Sequence, residues 1–392
     1  MESVEQNDPV RWNRFRFSLQ KIDNFERPQF ERWLGVTKWF FILWISFLLI
    51  GCAGGDETPQ ERSFRMGFQN SAPRIDFDLI QQSLAIWTQR ADAAMITTEV
   101  PWDDLLAGVS PQKYVADNFE GLVEFYRSKN FKLWIYIDPV NGLNRAADAN
   151  ALVKRGKSIA DADTQKLYKR FVIVMDSMLR PDHLGLALET NLIKILSPAD
   201  IYQAVKKVTT EVAAEIKASG SKAKVSISVQ AEAAWGKFTN QDYIGIGQDI
   251  ADFPFSEEIG ISSYPYLFYA SPSDIPHDYY LRLVDGRNLP CFVTEGGWTS
   301  QSFTSPSNTT IAGDPETQRM YMLRQELLLH FAKGTGLFQL TFTDIDVANL
   351  PSGVDPTIKY FAYLGLVDVQ LQPRPALTAW DEIFKRTLTS GN

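Results

Sequence analysis

The stretches His183-Leu-Gly-Leu-Ala-Leu-Glu-Thr-Asn191 and Pro290-Cys-Phe-Val-Thr-Glu-Gly-Gly-Trp298 share one pattern. In each, a short apolar run with strand character leads directly to a glutamate, Glu189 or Glu295. The polar and glycine residues that follow predict that each strand gives way to a loop beside its glutamate. The pattern therefore predicts two strands that each deliver a carboxyl group at the carboxyl end of the strand.

Apolar runs of this kind recur along the chain and are separated by longer helical or loop segments. The helical segments include Asp161–Leu179, Pro198–Ser219 and Pro315–Lys333, with Ser197 as the N-cap of the second and Gly334 as the stop of the third. Eight strands that alternate with helices predict an α/β fold, a (β/α)8 TIM barrel. The predicted strands are Ser63–Phe68, Ala93–Thr97, Lys132–Ile137, His183–Leu188, Lys224–Val229, Glu258–Ser262, Cys291–Thr294 and Gly336–Thr341.

The alternative fold is an open doubly wound sheet, which usually carries a glycine-rich phosphate loop after its first strand. Here that position reads Gly67-Phe-Gln-Asn-Ser-Ala-Pro73. The pair Gly245-Ile-Gly247 lacks the third glycine of a dinucleotide fingerprint, since position 250 is Ile. Both observations favour the barrel.

In a TIM barrel the functional site collects at the carboxyl ends of the strands. The residues at these predicted ends are carboxylates, amides and aromatic rings, which is the mixture that sugars need. Carboxylates and amides bind hydroxyl groups, and rings stack against the C–H faces of the sugar. The candidates are Gln69, Glu99, Trp102, Asp138, Asn141, Glu189, Asn191, Gln230, Glu232, Trp235, Tyr264, Tyr266, Glu295, Trp298, Asp344 and Asp346.

Three stretches resemble the clan A glycoside hydrolases, and most closely the arabinogalactan endo-β-1,4-galactanases. They are Ile261-Ser-Ser-Tyr-Pro-Tyr266, Val293-Thr-Glu-Gly-Gly-Trp298 and the tail Gly365-Leu-Val-Asp-Val-Gln-Leu-Gln-Pro-Arg-Pro-Ala-Leu-Thr-Ala-Trp380. In layout the resemblance covers most of residues 63–385. In specific residues it covers these patches only.

The resemblance implies a retaining hydrolase of β-linked poly- or oligosaccharides, with Glu189 on strand four as acid/base and Glu295 on strand seven as nucleophile. For double displacement we expect the raised pKa on Glu189, through burial and the nearby charge of Glu295. The residues expected to bind the carbohydrate are Asn191, Tyr264, Trp298, Trp235, Trp102 and Glu99, although Glu99 also fits a hydrogen-bonded rim group.

One position departs from the pattern of clan A, where an Asn usually precedes the acid/base. This chain has Leu188 there, and Asn191 is the candidate substitute. Leu188 favours an alternative function, a carbohydrate-binding lipoprotein that keeps the barrel without turnover. A third interpretation, a structural surface protein, would require a barrel mouth closed by apolar side chains.

Composition excludes several classes of function. The chain has 392 residues, a net charge of −8 and three histidines that form no cluster. An acidic chain does not favour nucleic acid as a partner, and the scattered histidines do not favour a metal site. We therefore expect no cofactor, no metal and no nucleic acid, and a monomer whose partner is a carbohydrate.

The N-terminal region is predicted to be a targeting segment. Lys38 precedes the apolar run Trp39–Ile50, which is too short for an unassisted membrane span of about 20 residues. The run ends in Leu49-Ile50-Gly51-Cys52, which resembles the bacterial lipobox and implies cleavage before Cys52 and its lipidation. The alternative is a signal anchor in which this cysteine is incidental.

The predicted organisation is a signal segment at residues 1–52, a tether at 53–62 and the barrel at 63–392. Residues 1–37 are long for the region that precedes a signal, so translation that starts further along, for example at Val36, is a hypothesis. The resulting expectation is a lipid-anchored protein of the bacterial cell envelope. The second cysteine, Cys291, is predicted to be a small buried residue.

Overall fold

A computed structural model describes residues 61–69, 72–351 and 353–389. Its centre is a closed barrel of eight parallel strands, each bonded to the next and the eighth to both the first and the seventh. The predicted TIM barrel is confirmed, and every predicted strand matches an observed one. The strands are β1 (Arg65–Gln69), β2 (Ala93–Glu99), β3 (Lys132–Asp138), β4 (His183–Gly185), β5 (Lys224–Gln230), β6 (Glu258–Ser263), β7 (Cys291–Gly296) and β8 (Gly336–Gln339).

One irregularity interrupts the barrel, between β6 and β7. Ile261 lies opposite Val293, but the next residue of β6, Ser262, lies opposite Glu295. Thr294 is thus an extra residue in β7, as in a β-bulge, which bends a strand and redirects its side chains. The bulge brings Glu295 level with Ser262 at the carboxyl end of the barrel.

Helices surround the barrel, and their first turns show why several begin where they do. Asp76 caps the first helix by accepting hydrogen bonds from the backbone N–H groups of Asp78 and Leu79. Asp314 caps the twelfth in the same way, with Pro315 in the first turn. The helices are α1 (Phe77–Trp87), α2 (Trp102–Leu106), α3 (Pro111–Val115), α4 (Gly121–Ser128), α5 (Asn150–Val153), α6 (Ala162–Leu179), α7 (Thr190–Leu196), α8 (Ala199–Ala218), α9 (Ala231–Ala234), α10 (Gly247–Asp252), α11 (Leu281–Val284), α12 (Pro315–Phe331) and α13 (Pro375–Phe384).

The three predicted long helices correspond to α6, α8 and α12, but two of their end signals were wrong. Pro198, rather than Ser197, occupies the N-cap position of α8, because Ser197 already closes α7. After α12 the left-handed residue is Lys333, with φ of 52°, and not Gly334. Gly334 is needed for space instead, since a Cβ there would lie 2.0 Å from Leu329 Cδ1.

Two apolar clusters fill the fold. The larger lies between the barrel and its helices, and the smaller fills the inside of the barrel. Leu188 belongs to the inner cluster, together with Met95 and Tyr136, so the position that usually holds Asn contributes here to the top of the barrel filling. The full inner set is Ala93, Met95, Trp134, Tyr136, Leu188, Phe292 and Phe338.

The two ends of the described chain meet at the amino-terminal end of the barrel. Glu61–Arg62 pairs in parallel with Thr387–Leu388, so these two residues of the predicted tether belong to the folded part. The buried Arg62 guanidinium lies 2.7 Å from the Asp92 carboxylate and stacks over the ring of Phe384. The predicted signal segment with Cys52, and tether residues 53–60, lie outside the described residues. Across residues 61–69, 72–351 and 353–389, no helix has both the length and the apolar character that a membrane span requires.

The close contact of β1 with β2 gives a test of the barrel packing. A Cβ at Gly67 would lie 2.3 Å from the backbone oxygen of Ala93, and backbone cannot move aside as a side chain can. We expect Gly67→Ala to lower the free energy of unfolding by about 3 kcal/mol or more, at the upper end for overpacking. Thermal and urea unfolding would measure the loss.

Gly247→Ala is the matched control for that measurement. Its Cβ would meet Arg287 Nη2 at an ordinary 3.5 Å, and Gly247 lies in helix α10. Alanine is favoured over glycine in a helix, so stability should hold or rise slightly. Equal losses in the two variants would contradict the packing explanation.

Candidate active site

A cavity of about 980 Å³ lies at the carboxyl ends of the barrel strands. Its lining includes residues at or just after the ends of β1, β2, β3, β4 and β7. These are Gln69, Glu99, Asp138, Glu189 and Glu295, so four carboxyl groups from strand ends share one cavity with others from the loops. The structure therefore brings together the two glutamates that the sequence singled out.

Glu295 is held in the cavity by neutral groups. The Gln69 side-chain amide donates to Glu295 Oε2 at 3.3 Å, and the nearby charge of Glu295 adds to the burial that raises the pKa of Tyr264. Burial, followed by the charge of Glu189, raises the pKa of Glu295 to about 7, against the lowering effects of Arg145, Gln69 and Ser262. Near neutral pH this carboxyl group therefore carries a proton for a substantial part of the time.

Glu189 is held by a charged group. It has a left-handed backbone with φ of 51° and lies just before helix α7, and its N–H donates to Ser228 Oγ at 2.9 Å. Arg145 Nε donates to Glu189 Oε2 at 2.8 Å, and Ser262 Oγ donates to Oε1 at 2.5 Å. The guanidinium stabilises the negative charge on this carboxylate.

The structure gives Glu295 a raised pKa that the sequence did not predict. Both glutamate side chains are buried, at 7% and 8% exposure. Their surroundings differ in the position of the cation, since Arg145 contacts Glu189 directly and reaches Glu295 only through space. Sequence reasoning missed this cation.

Arg145 joins two carboxylates in the buried wall of the cavity. Besides Glu189 it contacts Asp138 through Nη1, and it is only 5% exposed. The two neighbouring carboxylates raise its own pKa, although burial alone would lower it. Arg145 lies in the loop after β3, where a lone arginine among polar residues carries no motif. The one available signal was indirect, because so many carboxylates at strand ends require a buried cation.

Three of the residues expected to bind carbohydrate line the cavity: Tyr264, Trp102 and Glu99. Trp102 is 1% exposed, so it forms a wall rather than an open platform. Glu99 Oε1 accepts from the backbone N–H of Gly142 at 2.8 Å, and burial is the main cause that raises its pKa to about 7. The neighbouring Asp138 charge adds to that rise.

The other three expected residues, Asn191, Trp235 and Trp298, are not in the lining of this cavity. The Asn191 amide exchanges hydrogen bonds of 2.9 and 2.8 Å with the backbone of Gln230, and so ties α7 to the end of β5. Trp235 stacks on Tyr279 and donates its indole N–H to the carbonyl of that residue. Trp298 packs between Tyr266 and Tyr321 at 1% exposure. Strand-end position alone could not distinguish inward from outward side chains.

Glu232 is a buried carboxyl group behind the cavity. Its Oε1 accepts from the backbone N–H of Tyr264 at 3.0 Å and from the Tyr279 hydroxyl at 2.9 Å. Burial raises its pKa to about 7. Glu232 thus holds the turn that presents Tyr264 to Glu295. Among the described residues, no group of three or more His, Cys, Asp or Glu side chains is arranged to hold a metal ion.

Comparison with known proteins supports the fold. No protein-family model and no curated protein matches the chain. Solved structures do, including a GH5_18 protein from Bifidobacterium longum subsp. longum in complex with Manβ1-4GlcNAc, at a TM-score of 0.56 and 16% identity. That match covers 83% of this chain and 80% of the Bifidobacterium protein.

Two further structures share the barrel. The exo-β-1,4-mannosidase Op5Man5 from Opitutaceae bacterium strain TAV5 matches at a TM-score of 0.56 and 11% identity, over 84% of this chain and 62% of the mannosidase. The β-glucuronidase from Ruminococcus gnavus, in complex with D-glucuronic acid, matches at 0.51 and 13% identity. The shared part is 83% of this chain and about half, 49%, of the glucuronidase. At these identities the likeness establishes the fold that the chain shares with them.

The Arg145 contacts give a test of the electrostatics of the site. Arg145→Met leaves Asp138 and Glu189 buried without their cation, and we expect a loss of about 3–5 kcal/mol in the free energy of unfolding near pH 8. Near pH 5 the loss of stability should be smaller, because the carboxyl groups left without a cation can bind protons and so avoid a buried negative charge. Urea unfolding at the two pH values measures both quantities.

Arg319→Met is the control for that experiment, because Arg319 forms an exposed ion pair with Glu316 on α12. It should change stability little at either pH. A loss in Arg145→Met that is the same at pH 5 and pH 8 would show that the guanidinium acts by packing alone.

Proposed function

We propose that the chain is a retaining glycoside hydrolase that cleaves β-linked poly- or oligosaccharides by double displacement. The observation that carries the proposal is the pair of buried carboxyl groups, Glu189 and Glu295, that line one cavity and interact with each other. Glu189 follows the fourth strand of the barrel and Glu295 lies at the end of the seventh, which are the positions that the clan A resemblance implies.

The two carboxyl groups of the pair interact electrostatically, since the charge of Glu189 raises the pKa of Glu295. Retaining enzymes hold their carboxyl groups about 5–5.5 Å apart, whereas inverting enzymes need about 6.5–9.5 Å to admit a water. We propose the shorter spacing, because Ser262 donates to Glu189 from the position of β6 that lies opposite Glu295.

In the proposed mechanism the Glu295 carboxylate attacks the anomeric carbon while protonated Glu189 donates to the leaving glycosidic oxygen. The resulting glycosyl ester is then hydrolysed by a water that Glu189 deprotonates. The Gln69 amide, which donates to Glu295 Oε2, would orient the nucleophile, and the neighbouring Tyr264 hydroxyl would assist it.

The charges in the cavity favour an uncharged glycon. The cations in its described lining are Arg74, Arg145 and Lys154. Arg74 pairs with Asp346 at 3.1 Å and Arg145 pairs with Glu189, while Lys154 is exposed. A sugar carboxylate placed among the strand-end carboxyl groups would find no free buried cation, and its desolvation would go uncompensated.

Turnover by the full-length chain on aryl β-glycosides of glucose, galactose, mannose and glucuronic acid tests the proposal. We expect hydrolysis of at least one neutral glycoside and little of the glucuronide, with retention visible by NMR of the first-formed anomer. Glu295→Ala should lower kcat on the order of 10³-fold or more, because the covalent step is lost. Glu189→Ala should slow substrates with poor leaving groups most.

Azide distinguishes the two roles. In Glu295→Ala it should attack in place of the nucleophile and give the α-glycosyl azide, whereas in Glu189→Ala it should replace water and give the β-glycosyl azide. Glu316→Ala, which removes an exposed glutamate on α12, is the control and should keep the wild-type rate. Saturable sugar binding without turnover in the wild type would favour the non-catalytic binding protein instead.

We also propose that Cys52 carries a lipid that anchors the protein in the cell envelope, on the support of the sequence Leu49-Ile50-Gly51-Cys52. In a bacterial host the wild type should partition into the detergent phase with acyl chains on an N-terminal Cys52, as seen by mass spectrometry. Cys52→Ala should lose both, whereas the control Cys291→Ala, at the buried second cysteine, should keep both. Equal partitioning of wild type and Cys52→Ala would contradict lipidation.

A further inference from the structure

The Ser262 side chain connects the two glutamates of the cavity. Its hydroxyl donates to Glu189 Oε1 at 2.5 Å, its side chain also lowers the pKa of Glu295, and the residue is fully buried. This position follows from the β6–β7 bulge, which pairs Ser262 with Glu295 rather than with Thr294. A hydroxyl group can donate one hydrogen bond while it accepts another, so it can join two carboxyl groups that share a proton.

The surroundings of the pair are unequal. On one side, Arg145 contacts Glu189 and is itself shared with Asp138. On the other side, the described neighbours of Glu295 include the neutral Gln69 amide, which donates to it, and the Tyr264 side chain. When the pair holds one proton, this arrangement favours the proton on Glu295.

Double displacement needs the opposite distribution, with the proton on Glu189 and the charge on Glu295. Among the described residues, Arg145 donates to Glu189 and Gln69 donates to Glu295. Ser262 donates to Glu189, lies opposite Glu295 in the register of β6 and β7, and is fully buried.

We infer that Ser262 relays the proton from Glu295 to Glu189 and so prepares the pair for glycosyl transfer. The Glu295 O–H passes its proton to Ser262 Oγ as the Ser262 O–H passes its own proton to Glu189 Oε1. One O–H bond breaks and one forms at the serine, which stays neutral, and the negative charge moves from Glu189 to Glu295. The inference rests on the proposed hydrolase function. It assigns Ser262 to proton transfer between the two glutamates and not to binding of the sugar.

The experiment compares two leaving groups in Ser262→Ala. A phenyl glycoside needs the proton from Glu189, whereas a 2,4-dinitrophenyl glycoside of the same sugar leaves without it. We expect kcat on the phenyl glycoside to fall about 10- to 100-fold, within the usual range for general acid catalysis. Near pH 8, where Glu295 has lost most of its proton, kcat on the dinitrophenyl glycoside should stay within about threefold of wild type, given a Glu295 pKa of about 7.

Two further variants complete the design. Ser262→Thr keeps the hydroxyl group and should restore most of the phenyl glycoside rate. Ser226→Ala removes another fully buried barrel serine, whose hydroxyl pairs with that of Tyr136 at 2.8 Å, and should leave the ratio of the two rates unchanged. Equal losses on both substrates in Ser262→Ala, or no loss on either, would overturn the relay while the hydrolase function stood. A wild type without turnover of any glycoside would overturn the hydrolase function and the relay together.

Discussion

The contact of Arg145 with Glu189 and Asp138 is the interaction on which the rest of the site depends. Four carboxyl groups converge at the barrel mouth, and burial makes several negative charges there too costly without a cation. One guanidinium compensates the two carboxylates it touches, and the pKa values of Glu99 and Glu295, which it does not touch, are raised to about 7. Burial raises the pKa of Asp138 as well, against the lowering effect of Arg145. The guanidinium thus reduces the cost of burying these carboxyl groups together without removing it.

The second constraint is the backbone register between β6 and β7. The bulge at Thr294 sets Glu295 beside Ser262 and leaves Gly296 and Gly297 to continue into the loop. Glu232 supports the same region from behind by holding the backbone N–H of Tyr264. The neutral surroundings of Glu295 therefore depend on β6, β7 and Glu232. The charged surroundings of Glu189 depend on Arg145 in the loop after β3, which is a different part of the fold.

The barrel was predictable because its signals are local. An apolar run such as Lys132–Asp138 predicts a strand without information from the rest of the chain. Eight such runs with intervening helices leave few alternative folds. Glu189 and Glu295 could be placed in one cavity for the same reason, since strand ends meet at one face. The sequence could not predict that Asn191, Trp235 and Trp298 lie outside the cavity lining, because the direction of a side chain after a strand depends on the turn that follows. Arg145, Ser262 and the bulge depend on contacts between segments far apart in sequence, and no single segment carries their signal.

The pairing of Glu61–Arg62 with Thr387–Leu388 fixes where the leading segment joins the barrel. That junction lies at the amino-terminal ends of the strands, whereas the cavity opens at their carboxyl ends. With the proposed lipid on Cys52, the segment that leads to the barrel would therefore join it at the end opposite the cavity. The residues that line the cavity and the residues that receive the tether thus belong to opposite ends of the same eight strands.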